Sequence, residues 1–107
     1  MEIRAGYHKR LREIQDDILV MGSMSEKAIL QSVQALKDRD LTEAKRIIAD
    51  DRKINQKRFE IEEKCIQLIA TQQPMAGDLR TIVCALYIIT ELERIGDYAE
   101  GIAKIVL

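Results

Sequence analysis

Glu93 and Asp97 stand four residues apart in Glu93-Arg94-Ile95-Gly96-Asp97, inside an apolar run that a plain core helix would continue with aliphatics. On a helix this spacing puts both carboxylates on one face, about 5–6 Å apart at Cβ. Two carboxylates so placed repel each other unless a cation or a cationic side chain lies between them. A second polar interruption lies upstream. Continuing the apolar stripe from Ala44 and Ile48 in alternating steps of three and four reaches Asp51, Asn55, Arg58 and Glu62 before Cys65 and Ile69. Carboxylate oxygens and an amide carbonyl are hard donors, suited to Mg²⁺, Mn²⁺, Ca²⁺ or iron rather than to zinc held by thiolates. Glu93 and Asp97 alone would make a weak site, so further donors must come from another helix, water or another subunit.

Each of these groups also has a plain structural explanation. Asp51, Asn55 and Glu62 could line a solvated flank, because Asp and Glu are seldom fully buried unpaired. Glu93 and Asp97 could pair with Arg58 or with a lysine of a neighbouring helix; Arg94 projects about 100° from Glu93 and is a poor partner for it. A ferritin-like di-iron centre needs Glu-x-x-His pairs, and the chain has only His8, which reads as a surface residue. Gly96 and Gly101 each cost about 1 kcal/mol against Ala within a helix. Beside Asp97, the bare backbone of Gly96 permits either close approach of a neighbouring helix or room for metal ions.

Three long helices must position these groups. Tyr7, Leu11, Ile14, Ile18, Met21, Ala28 or Ile29, Ser32 and Leu36 step by threes and fours, the signature of one helical face. Gly22 and Ser23 weaken the middle of that helix without breaking it. The break falls at Lys37-Asp38-Arg39-Asp40, where Asp40 and Glu43 have capping-box spacing and open a second helix. Its stripe runs through Ala44, Ile47, Ile48, Ile54, Ile61, Cys65, Leu68 and Ile69, ending near Thr71-Gln72-Gln73. Pro74 suits the start of a third helix, and Asp78 suits its first turn. The third stripe is Leu79, Ile82, Val83, Leu86, Ile89, Leu92, Ile95, Ala99, Ile102 and Val106. Helices of about 30 residues make rods of roughly 45 Å. Short connections make neighbours antiparallel, so the fold class is all-α, an elongated up-down-up three-helix bundle of spectrin-like shape.

Composition excludes several classes. A chain of 107 residues forms one domain and buries roughly 60–70% of its unfolded surface. Seventeen Lys and Arg against eighteen Asp and Glu leave a net charge of −1, so there is no bulk attraction to nucleic acid or anionic lipid. Aromatic residues make up 4%, too few for a base-stacking surface and suited to an aliphatic helical core. Cys65 and Cys84 both read as buried free thiols, which favours a reducing cytoplasm. No signal peptide opens the chain, and the longest apolar run, Ile82 to Ile89, is far shorter than the ~20 residues of a membrane span. Gly-rich phosphate loops and nucleophile–base constellations are absent from the sequence.

Pro74-Met75-Ala76-Gly77-Asp78-Leu79-Arg80 followed by Glu91-Leu92-Glu93-Arg94-Ile95-Gly96-Asp97 resembles the signature of the PhoU family, regulators of phosphate uptake. Asp51-Arg52-Lys53-Ile54-Asn55 resembles that family's second-helix pattern. The match covers essentially the whole chain. It implies an all-α fold of two tandem three-helix repeats, each with a Glu/Asp-x-x-x-Asp motif able to bind multinuclear iron or other hard metal ions. By this resemblance Glu93 and Asp97 are the motif's ligands, Asp51 and Asn55 face them, and Asp78 and Arg80 mark the entry to the third helix. Residues 1–107 then form a single repeat, the N-terminal half of a longer protein. Ile105-Val106-Leu107, still on the helical pattern and without a cap, agrees with that expectation. A homodimer would mimic the missing half.

The function implied is that of a cytoplasmic adaptor rather than an enzyme: a negative regulator of phosphate uptake and phosphate-regulon signalling. Its implied partners are the ATP-binding subunit of a phosphate transporter and a sensor histidine kinase. Two other classes compete. A metal-dependent helical nucleotide or phosphate-ester hydrolase would need a basic phosphate clamp, for which Arg58 and Arg80 are the candidates. A purely structural helical interaction module would need no metal.

Overall fold

The computed structural model describes residues 2–72 and 76–107. Three helices follow one another: α1, Glu2–Asp38; α2, Leu41–Gln72; and α3, Ala76–Val106. The expectation of Pro74 as the first residue of α3 lies outside the described residues. Each helix packs on both others. The bundle measures 56 × 18 × 16 Å, longer than the sequence estimate because α1 alone runs for 37 residues. Its radius of gyration of 16.7 Å compares with about 13 Å for a compact domain of this size. The rod shape follows from helix length and tight connection.

α1 passes through Gly22 and Ser23 unbroken. It ends where Arg39 adopts the left-handed conformation, φ 53°. There the Asp40 N–H donates to Ala35 O at 2.9 Å and the Arg39 N–H to Leu36 O at 3.4 Å, a Schellman closure that needs no glycine. Asp40 then caps α2, its Oδ1 accepting the Glu43 N–H at 3.0 Å. The capping box is only half formed. Asp40's own N–H is spent on Ala35, and the Glu43 carboxylate turns to Arg46 instead.

The core divides into two clusters. One joins Tyr7, Ile14, Met21, Ile54, Ile61, Cys65, Leu68, Ile82, Ala85 and Ile89. The other, built mainly of alanines, joins Ala35, Ala44, Ile47, Ala99 and Ala103. Small side chains let the helices approach closely at that end, whereas each fully buried isoleucine at the other contributes roughly 2–3 kcal/mol. Between the clusters lies a layer of small and polar residues: Ser25 on α1, Asp51 on α2 and Gly96 on α3, all buried. Ser25 Oγ donates to Leu92 O at 2.9 Å, and Tyr7 donates to Asp78 O at 3.3 Å. These two bonds fix α1 alongside α3. Asp17 of α1 holds α2 through Lys57 at 3.2 Å and Lys64 at 2.5 Å.

Several expected core positions shift. Ala35 rather than Leu36 is buried at the end of α1, and Ser25 enters its interior face. On α3 the buried line is Ile82, Ala85, Ile89, Gly96, Ala99 and Ala103, while Leu79, Val83 and Ile95 are exposed. That helix is apolar around most of its circumference, so steps of three and four fit more than one stripe. Cys84 falls on the outer side and is exposed, contrary to expectation. Cys65 is buried as expected, and burial, with a smaller effect of Glu62, pushes its thiol up to about 11.

Candidate functional site

α2 runs antiparallel to α3, so residues that climb one helix descend the other. Asp51 therefore meets Gly96 and Glu100, and Arg58 meets Glu93. All four residues singled out from sequence line this seam, but they do not converge on one point.

Asp51 is 8% exposed, which removes the solvated-flank explanation for it. A Cβ on Gly96 would lie 3.2 Å from Ile54 Cδ1 and 3.3 Å from Asp51 Oδ1. Glycine at this position thus serves close packing of α2 on α3, and the space is already filled by protein. Asp51 Oδ2 accepts a 3.4 Å bond from Asn55 Nδ2. Asp51 Oδ1 and Asn55 Oδ1 are both buried without a hydrogen-bond partner. Burial, followed by the adjacent Glu100 carboxylate and the charge of Asp97, pushes the Asp51 carboxyl up to about 7; Asn55 opposes the rise. Glu100 moves the other way, held below the usual carboxylate range by Lys104 and then by Asp51. The Lys104–Glu100 pair spans 2.7 Å, but its lysine is largely exposed.

Glu93 has a different environment. Its Oε2 accepts from Arg58 Nη1 at 2.7 Å across the two helices, with the side chains 23% and 28% exposed. Arg58 also approaches Glu62 at 3.7 Å and covers the Phe59 ring at 5.7 Å. The cationic-side-chain explanation for Glu93 is the one realised in the fold. Asp97 is exposed and makes no hydrogen bond or ion pair among the described residues; it acts on Asp51 only through its charge.

Among the described residues no three His, Cys, Asp or Glu side chains are arranged as a metal cage. The partial fit is at the Asp51 end, where Asp51 and Asn55 each leave one buried oxygen without a partner, with the charge of Asp97 and the Lys104-paired carboxylate of Glu100 nearby. At the Glu93 end the cation is already present as Arg58. Glu100 and Ser25 escaped the sequence reading. Glu100 continues the Glu93, Asp97 spacing by three more residues, a signal that could have found it; Ser25 sits among apolar neighbours with no distinguishing pattern. Arg80, the other clamp candidate, lies on the exposed side of α3, 13 residues from Glu93, or about 20 Å along the helix. His8 is exposed, as expected.

Comparison with known proteins adds a family. A model of the PhoU domain matches residues 18–106. The chain is 46% identical over 99 residues to the phosphate-specific transport system accessory protein PhoU homolog of Clostridium acetobutylicum, covering 92% of this chain and 45% of that protein. It is 35% identical over 105 residues to the phosphate-specific transport system accessory protein PhoU of Escherichia coli, covering 98% and 44%. The crystal structure of the phosphate transport system regulatory protein PhoU from Streptococcus pneumoniae superimposes with a TM-score of 0.88 at 33% identity, over 94% of this chain and 47% of that one. The chain thus spans about half the length of the relatives it matches.

Proposed function

The chain belongs to the PhoU domain family, and on that premise we propose that it is a regulatory accessory module of phosphate-specific transport. The observation that carries the proposal is the similarity to accessory proteins of that transport system along nearly the whole chain, 46% identity over 99 residues in one case. In the finer form of the proposal, the chain is a cytoplasmic adaptor that restrains phosphate uptake and phosphate-regulon signalling. Its partners are the ATP-binding subunit of the transporter and a sensor histidine kinase. No helix among the described residues is long and apolar enough to cross a membrane.

Adaptor chemistry suits the seam better than hydrolysis does. Arg58 is spent on Glu93, and Arg80 stands far from the carboxylates, so neither residue clamps a phosphate ester over them. The proposal includes a hard cation, iron or another divalent or trivalent ion, at the Asp51 end. Asp51 and Asn55 would hold it through their orphaned oxygens, with Asp97 beside them. Such an ion would relieve the repulsion among Asp51, Asp97 and Glu100 and draw α2 onto α3. Glu93, the remaining residue of the family motif, would join only by releasing Arg58.

The test is made in a bacterium lacking its own phosphate-transport accessory protein, in which a phosphate-starvation reporter is constitutively on. Expression of this chain should lower reporter output in phosphate-rich medium. Output that stays at the level of the deleted strain, with the chain present and folded, would overturn the proposal.

A further inference from the structure

α2 and α3 form an outer groove whose two halves differ in chemistry. On α3, steps of four and three that begin at Leu79, Val83 and Leu86 reach Glu93, Asp97 and Glu100, so all six project from one flank of the helix. On α2 the matching stripe is Asn55, Phe59, Glu62, Ile66 and Ile69. Arg58 touches both Glu62 and Glu93, which turns this flank of α2 toward α3. The register set by Arg58 with Glu93 and by Asp51 with Glu100 puts Ile66 and Ile69 level with the turn from Ile82 to Leu86. One half of the groove is therefore apolar and open: Phe59 is 62% exposed, Ile66 49%, Leu79 38% and Val83 37%. The other half is acidic. Glu62, Glu93, Asp97, Glu100 and the buried Asp51 outnumber the cations beside them, Arg58, Lys104 and the exposed Arg52. Asp97 is exposed and makes no hydrogen bond or ion pair among the described residues.

We infer that this groove docks a single helix of a partner protein, apolar along one half and rich in lysine or arginine along the other. Leu79 to Glu100 spans about 30 Å of α3, which a helix of about 20 residues matches. A helix held in a groove takes its affinity from apolar anchors, seated here beside Phe59, Ile66 and Val83. Complementary charge fixes its direction. Laid the opposite way, the partner would set its cations on aliphatics and its apolar side chains on carboxylates. A helix with acidic side chains in place of the basic ones is repelled by the same carboxylates. Arg58 is shared between Glu93 and Glu62 and leaves Asp97 unmatched, so a cation of the partner over Asp97 supplies the charge this end lacks. That the partner belongs to the phosphate-transport machinery rests on the proposed adaptor function; the chemistry of the groove does not.

Two fluorescein-labelled, alanine-based peptides of about 20 residues serve as probes. Both carry leucines at alternating steps of three and four in the first half; the second half carries lysines in one peptide and glutamates in the other. They are titrated by anisotropy, in EDTA, with the purified chain and with variants first shown by circular dichroism to be folded. The lysine peptide should bind at least about tenfold more tightly than the glutamate peptide. Asp97→Lys and Phe59→Ala should each weaken it by about tenfold. Asp16→Lys, the same change of charge on the exposed side of α1, should leave it within about twofold. Equal binding of the two peptides, equal loss in Asp16→Lys and Asp97→Lys, or no effect of Phe59→Ala would overturn the inference. In the starvation-reporter strain, the chain carrying both Phe59→Ala and Asp97→Lys should leave the reporter on. If that chain represses as well as the unmodified one, the groove is not the docking site although the adaptor function stands. If the unmodified chain itself does not repress, the adaptor function fails, and the peptide titrations alone decide for or against the groove.

Discussion

Asp51 concentrates the electrostatic tension of the molecule. An aspartate with an ordinary value of 3.8 is raised to about 7 by burial and by the carboxylates of Glu100 and Asp97. Because the folded state holds this proton more tightly than the unfolded chain, the group's contribution is fully present below about pH 4 and is lost as pH rises through 7. Urea denaturation midpoints measured from pH 5 to pH 8 should therefore fall with rising pH. Asp51→Asn should flatten that slope and be the more stable form at pH 8. A midpoint that rises across this window, or a slope unchanged in Asp51→Asn, contradicts the assignment. Asp17 behaves oppositely: burial alone would raise it, but Lys64 and Lys57 together hold it below the usual range. Its contribution disappears only in acid. The stripe pattern was enough to single out Asp51, but its burial depends on Gly96 standing opposite on another helix, which no reading along one helix reveals.

At the scale of the elements, the two glycines of α3 make a controlled comparison. Nothing lies within 4 Å of a Cβ built on Gly101, whereas one built on Gly96 meets Ile54 and Asp51 at 3.2–3.3 Å. Gly101→Ala should stabilise the chain by about 1 kcal/mol through helix propensity. Gly96→Ala gains the same propensity and must also push α2 outward, so its melting temperature should rise less or fall. Equal gains at both positions would mean that α2 does not press on Gly96. Helix existence and order were legible because the apolar repeats are long and the Asp40 cap is distinct. The face that α3 buries was less legible: with aliphatics around most of its surface, periodicity could not separate Ile82 and Ile89 from Val83 and Ile95, and Cys84, read as a buried thiol from its apolar stretch, is exposed. The decision is made by α1 and α2, whose bonds at Ser25–Leu92 and Arg58–Glu93 fix the rotation of α3.

The whole molecule leaves a good deal of apolar surface uncovered. Leu19, Leu30 and Val33 on α1 and Ile88, Tyr98 and Ile105 on α3 are all exposed. The two interhelix bonds of these parallel helices join residues 67 and 71 apart in sequence, which sets Leu19 level with Ile88 and Leu30 level with Tyr98. Exposed apolar side chains of this kind suit a surface for association, in keeping with the homodimer expected from the sequence and with relatives about twice as long. Sedimentation equilibrium should give a mass that rises with concentration toward a dimer, and Leu30→Glu with Tyr98→Glu should hold it at the monomer with helicity unchanged. A monomeric mass at every concentration, or a dimer indifferent to these changes, would place association elsewhere.

As proposed, this three-helix module acts by binding the machinery of phosphate transport. Calorimetric titration of the purified chain into the ATP-binding subunit of a phosphate-specific transporter tests it most directly. Saturable binding at a fixed stoichiometry, absent with the ATP-binding subunit of an unrelated importer, is the expected result. No heat of binding to the phosphate transporter's subunit, or equal binding to both, would contradict it.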